Sequence, residues 1–130
     1  MVGAAKAGTT SLHDYLSRHP DIYLSNPKEP KHLSLTANEF PHTGPRDNEV
    51  DAAIIKTRED YAVLFRGVRN EKIVGEASAD YLYFHETVIP LIKEMSPDAR
   101  ILILLRNPVD RAFSAYRHML RDGRETLSFE

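Results

Sequence analysis

Near the start, residues Gly3 to Leu12 read Gly-Ala-Ala-Lys-Ala-Gly-Thr-Thr-Ser-Leu, with one lysine and three consecutive hydroxyls ahead of a helical pattern. That composition restricts what can be built around it. Glycines let a backbone approach a ligand and take conformations closed to other residues, and the free N–H groups at a helix N-terminus point toward negative charge. The stretch is therefore read as a cradle for phosphate or sulfate, with Lys6 adding a mobile positive charge. The competing reading is a glycine-rich turn that only connects two elements.

Two further patterns place this cradle in a fold. Ile101 to Leu105 reads as a strand buried on both faces, and Arg106, Asn107 and Pro108 follow at once. Asn107 is the expected N-cap and Pro108 the first residue of a helix whose apolar stripe is Val109, Ala112, Phe113, Tyr116, Met119 and Leu120. Upstream, Leu12, Tyr15 and Leu16 mark a short first helix ended by Pro20, and Ile22 to Leu24 a brief strand. Lys28 to His32 is an irregular segment stiffened by Pro27 and Pro30, and Ser34 to Val50 has the turn residues of a long surface loop. Thr57 is expected to cap a helix with Tyr61, Leu64, Phe65 and Val68 on its buried face. Lys72 to Gly75 is a strand candidate, and His85 to Met95 a helix burying Val88, Ile89, Leu91, Ile92 and Met95, with Pro90 as its start or a kink.

Short buried strands alternating with helices imply an α/β fold, a three-layer α/β/α arrangement with a central parallel sheet. Ligands of such sheets gather at the carboxyl ends of the strands, where the opening loop and Arg106 would meet. Only Met1 and Val2 precede Gly3, so the first strand is expected to be cut short and the chain to be part of a longer domain.

Composition removes several classes of function. A formal net charge of -2 argues against a general nucleic-acid binder, while leaving room for a local basic site. The absence of cysteine excludes a disulfide framework and thiolate metal centres and fits a reducing compartment. The apolar run at Ile101 to Leu105 is far short of the roughly 20 residues needed to cross a bilayer.

The opening loop has glycines at the first and second glycine positions of a Walker A sequence, Gly3 and Gly8, but Gly8 is followed by Thr9 and the lysine lies inside the loop. The departure weakens an ATPase or GTPase reading, because that lysine and the next hydroxyl serve the β and γ phosphates and magnesium. The loop resembles instead the 5′-phosphosulfate loop of sulfotransferases that use 3′-phosphoadenosine 5′-phosphosulfate (PAPS). Arg106-Asn-Pro-Val-Asp-Arg-Ala-Phe-Ser114 resembles the 3′-phosphate motif of the same family, and Gly75 to Tyr81 also looks like a family stretch. Lys28-Glu29-Pro30 resembles the branch of bacterial and carbohydrate sulfotransferases.

The resemblance implies a P-loop-like sulfotransferase fold, with residues 1–130 as the N-terminal part of a single domain whose loop is 3–12 and whose second motif is 106–114. It implies PAPS as co-substrate, a small-molecule or glycan acceptor, and no metal. Lys6 would sit by the oxygen bridging phosphate and sulfate, Gly8, Thr9, Thr10 and Ser11 would hold the 5′-phosphate, and Arg106 and Ser114 the 3′-phosphate. Glu29 would be the base that takes the acceptor's proton, with His32 as runner-up because imidazole accepts a proton near neutral pH. Plain alternatives are that Lys6 is solvated, that Arg106 pairs with an aspartate, that Ser114 faces solvent and that Glu29 pairs with Lys28 or Lys31. A bacterial-type protein is expected in the cytoplasm, the Golgi lumen being the location if an anchor lies upstream.

This sequence also departs from the family. Lys31, His32 and Leu33 stand where many carbohydrate sulfotransferases have an aromatic pair, and Ala77 and Ala79 stand where several have a second lysine. Two rival readings stay open: a P-loop kinase or nucleotide triphosphatase, and a truncated nucleotide-binding domain without turnover.

Overall fold

The computed structural model describes residues 1–37 and 40–129. Its helices are α1 (Thr9–Leu16), α2 (Asp47–Ala53), α3 (Arg58–Val63), α4 (His85–Met95) and α5 (Pro108–Arg121), and its strands β1 (Ile22–Leu24) and β2 (Ile73–Gly75). A 3-10 segment, His32–Ala37, follows the proline-stiffened stretch.

The architecture is α/β with parallel pairing. β1 and β2 run parallel with Ile22 opposite Ile73 and Leu24 opposite Gly75. The pairing continues outward from β2, because the Met1 nitrogen donates to the Glu76 carbonyl at 2.6 Å and the Ser78 amide donates to the Met1 carbonyl at 3.1 Å. On the far side, the Val2 and Ala4 amides donate to the Leu102 and Leu104 carbonyls at 3.0 and 2.8 Å, and the Leu104 amide returns to the Gly3 carbonyl at 2.7 Å. Four extended segments thus lie side by side in the order 22–25, 73–78, 1–4 and 101–105. The short opening segment is held from both edges, which anchors the loop that follows it.

Gly3 is required at its place in this arrangement. Its φ of 142° lies where side chains are rarely tolerated, and a Cβ there would stand 2.7 Å from the Ala79 carbonyl oxygen. The core lies just beyond, where Val2, Leu33, Tyr81 and Val88 are buried together and Leu82, Phe84, Leu91 and Ile92 pack around them.

Several expectations are met in detail. Thr57 caps α3 by accepting from the Asp60 amide at 3.0 Å, and Asn107 caps α5 by accepting from Val109 and Asp110 with Pro108 in the first turn. Others are corrected. The expected loop from Ser34 to Val50 contains the end of the 3-10 segment and the start of α2, with Asn38 and Glu39 outside the described residues. Asp47, expected among the turn residues of that loop, stands instead with Glu49 in the first turn of α2, where acidic side chains suit the helix dipole. Pro90 lies inside α4 and does not start it, and Ile89 and Met95, expected in the core, are exposed.

The largest correction concerns the last strand and helix. Ile103 makes a parallel bridge to Gly3, yet it is 47% exposed and Leu105 78%, so the run is not buried on both faces. α5 likewise buries none of its residues, and Phe113 in its stripe is 47% exposed. Their hydrogen bonds run edge to edge, and among the described residues no layer covers these apolar faces. Among the described residues no helix is long and apolar enough to cross a membrane.

Candidate functional site

The carboxyl ends of the extended segments open into two adjoining clefts. The larger, about 1290 Å³, is lined by Lys6, Gly8, Thr9, Glu29, Lys31 and Asp80 among others. The smaller, about 460 Å³, is lined by Lys6, Arg106, Ser114, Arg117, His118 and Arg121 among others. Lys6 belongs to both.

The loop takes its shape from backbone that only certain residues accept. Gly8 stands at the N-cap of α1 with φ 95°, and a Cβ there would meet open space, so its side-chain-free left-handed turn leaves room against the backbone. No side chain caps α1, and no acidic residue stands in its first turn. The amides that begin the helix are thus free of both a capping oxygen and a competing carboxylate, which suits an anion. Thr9 is buried while Thr10 lines the larger cleft.

Lys6 itself has φ 65°. So do Glu29 at 61°, Lys31 at 54° and Arg46 at 58°, and these are the non-glycine residues with positive φ among those described. All four line the larger cleft. Left-handed backbone costs a residue with a side chain about 1–2 kcal/mol, and strain of this kind collects at functional sites.

Arg106 joins the two motifs directly. Its Nη1 donates to the Lys6 carbonyl at 3.3 Å, and it forms no ion pair with an aspartate among the described residues. Ser114 lies on the same cleft two turns into α5. Arg117, His118 and Arg121, which the sequence reading passed over, share that wall. The signal was available, since 114, 117, 118 and 121 follow the three-and-four spacing of one helix face. Burial first and the nearby Lys6 second hold the His118 imidazole below its ordinary pKa.

Glu29 is turned into the larger cleft by its surroundings. Its amide donates to the Ala77 carbonyl at 2.8 Å, its Oε2 accepts from the Ala79 amide at 2.9 Å, and its Oε1 pairs with Lys28. The anticipated ion pair and a place in the cleft are both realised. His32, the alternative base, is engaged elsewhere. Its Nδ1 donates to the Ile55 carbonyl at 2.9 Å and its ring stacks on Tyr61 at 4.6 Å, and it is not among the residues that line either cleft. Asp80, another residue not singled out beforehand, accepts from Ser34 Oγ at 2.7 Å, and burial raises its pKa.

A strap crosses the far side of the larger cleft. The Arg46 guanidinium pairs with Glu49 and donates to the Asp122 carbonyl at 3.0 Å, while Arg124 pairs with Asp47. These contacts tie the start of α2 to the end of α5.

Comparison with known proteins gives this arrangement a context. A family model described as the sulfotransferase family matches residues 1–130. A solved structure of a sulfotransferase from Alicyclobacillus acidocaldarius superposes with a TM-score of 0.93 at 52% identity, covering 98% of this chain and 51% of that one. Carbohydrate sulfotransferase 15 of Rattus norvegicus is 28% identical over 99% of this chain and 28% of the relative. Bifunctional heparan sulfate N-deacetylase/N-sulfotransferase 2 of Homo sapiens is 32% identical over 95% of this chain and 13% of the relative. The chain spans about half the length of the solved relative and less than a third of these two curated ones.

Proposed function

Because the chain belongs to the sulfotransferase family, we propose that it supplies the donor-binding half of an enzyme that moves a sulfuryl group from PAPS to a hydroxyl or amine acceptor. The observation that carries this reading is the bond from Arg106 Nη1 to the Lys6 carbonyl, which sets the cations of two separate motifs on adjoining clefts. A donor with phosphates at both ends of its ribose needs two anion sites a short distance apart.

In this reading the amides and hydroxyls from Gly8 to Ser11 hold the 5′-phosphate, and Arg106 and Ser114 hold the 3′-phosphate. The acceptor oxygen or nitrogen attacks sulfur in line, its bond to sulfur forms, and the bond from sulfur to the bridging oxygen breaks. Glu29 takes the acceptor's proton, and Lys6 stabilises the negative charge that develops on the bridging oxygen as adenosine 3′,5′-bisphosphate leaves. The names of the carbohydrate and heparan sulfate relatives support a glycan as acceptor.

Calorimetric titration with adenosine 3′,5′-bisphosphate beside ATP with magnesium tests the donor class. Tight binding of the bisphosphate and weak binding of ATP is the expected result; the reverse order overturns it. Transfer of radiolabelled sulfate from PAPS to a panel of desulfated glycans then tests turnover.

A further inference from the structure

The stretch Gly75 to Tyr81 lines no part of the smaller cleft and carries Ala77 and Ala79 where several carbohydrate sulfotransferases have a second lysine, yet it is tied closely to the segment bearing Glu29. Four bonds make the connection. The Glu29 amide reaches the Ala77 carbonyl and the Ala79 amide reaches Glu29 Oε2. The Lys31 amide donates to Ser78 Oγ at 3.0 Å, and the Leu33 amide donates to the Tyr81 hydroxyl at 3.0 Å.

The last two bonds end on hydroxyls that sit beside the same carboxylate. Each hydroxyl has a single hydrogen, and having accepted an amide it still has that hydrogen to give. Ser78 Oγ donates to Glu76 Oε2 at 3.1 Å, and the buried Tyr81 hydroxyl lies beside both, within the electrostatic reach of the Glu76 carboxylate. An ionised carboxylate can only accept, so it turns both hydroxyl hydrogens toward itself and leaves the lone pairs facing the two amides. Ser78 is fully buried and Tyr81 nearly so, which keeps water from replacing either partner.

We infer that Glu76, Ser78 and Tyr81 are positioning residues which, through the Lys31 and Leu33 amides, hold the strained 29–33 segment and so set the direction of the Glu29 carboxylate. The strain makes the relay necessary. Glu29 and Lys31 both have left-handed backbone, a state that persists only where surrounding bonds over-determine it. The catalytic consequence rests on the proposed role of Glu29 as base; the positioning itself does not.

The test is an NMR experiment on the whole 130-residue chain at mildly alkaline pH, reading amide exchange and the chemical shift of the Glu29 carboxyl carbon. Ser78→Ala is expected to speed exchange at Lys31, and Tyr81→Phe at Leu33, each by about tenfold, as the loss of one hydrogen bond implies. Glu76→Leu is expected to speed both, because its side chain has no oxygen to accept either hydrogen. In all three, exchange at the Ala79 amide speeds up and the chemical shift of the Glu29 carboxyl carbon moves as that bond to Glu29 Oε2 loosens, Ser78→Thr restores both, and adenosine 3′,5′-bisphosphate affinity stays unchanged. Unchanged Ala79 exchange and an unmoved Glu29 carboxyl shift overturn the inference, and so does faster exchange spread evenly over the chain, the mark of general destabilisation. Full sulfate transfer by Glu29→Gln would remove the base reading while leaving the exchange outcomes at Lys31 and Leu33 as they are.

Discussion

Arg106 and Lys6 are 100 positions apart, and the guanidinium of one donates to the backbone carbonyl of the other at 3.3 Å. The bond leaves most of the Arg106 donors free to face the smaller cleft. If that cleft takes the 3′-phosphate, Arg106→Ala should weaken adenosine 3′,5′-bisphosphate binding by roughly 10- to 100-fold, the range for a charge-assisted hydrogen bond of about 1.5–3 kcal/mol. Arg106→Lys should recover only part of it, having lost the planar fork. Equal binding by the wild type and Arg106→Ala in calorimetry would remove the assignment.

Lys6 and Glu29 should separate binding from turnover. Lys6→Ala is expected to lower the transfer rate by about 10²–10³, the cost of losing a group aimed at developing charge. Glu29→Gln keeps the shape of the side chain and removes the base, so transfer should fall by about 10²–10⁴ with bisphosphate affinity unchanged. His32→Ala is expected to leave the chemical step intact, since the ring is spent on Ile55 and Tyr61. Single-turnover rates beside calorimetric affinities decide all three.

Glu76 makes stability depend on pH in a definite direction. Burial pushes its carboxyl up to about 7 from 4.5, against the Tyr81 and Ser78 hydrogen bonds that pull it down. A carboxyl raised on folding contributes stability that is complete below its unfolded pKa and is lost as pH rises through the folded one. The wild type should therefore lose stability between about pH 4.5 and 7 relative to Glu76→Gln, by on the order of 3 kcal/mol at most. The Met1 amine, lowered by burial, acts in the opposite sense; Glu76 holds it up in the wild type, so losing that support in the variant widens the gap in the same direction. Denaturant midpoints at a series of pH values check this; parallel curves would refute it.

Packing predicts a contrast between two apolar residues. Val88 is 1% exposed in the core beside Tyr81, so Val88→Ala should cost about 2 kcal/mol through lost burial and the space left behind. Leu105→Ala, at a side chain 78% exposed, should stay within about 0.5 kcal/mol in this chain. Thermal melts of the two variants side by side give the comparison.

The parts of the fold that sequence made legible are those where local rules and tertiary context agree. The caps at Thr57 and Asn107 are set within a few residues, and so could be read from neighbours alone. The two motifs were likewise legible, since small residues and one lysine leave few alternatives. α2 was not, because its seven residues carry little apolar periodicity and begin with the aspartate and asparagine that also start turns. Nor could the relay through Glu76 be read, since Ser78 and Tyr81 meet Lys31 and Leu33 only once β1 and β2 have paired. The apolar run at Ile101 to Leu105 was a true sign of extended backbone and a false guide to burial, because hydrophobicity records what a segment favours and not what covers it.

The left-handed backbone at Lys6, Glu29, Lys31 and Arg46 has a consequence for anyone who would evolve or redesign this protein. A screen for heat resistance alone would be drawn to these four positions, where glycine or asparagine relieves the backbone at once. Each gain would remove a charged side chain from the wall of the larger cleft. Robustness and catalysis would then compete for the same four codons, and variants selected for one should be assayed for the other from the first round.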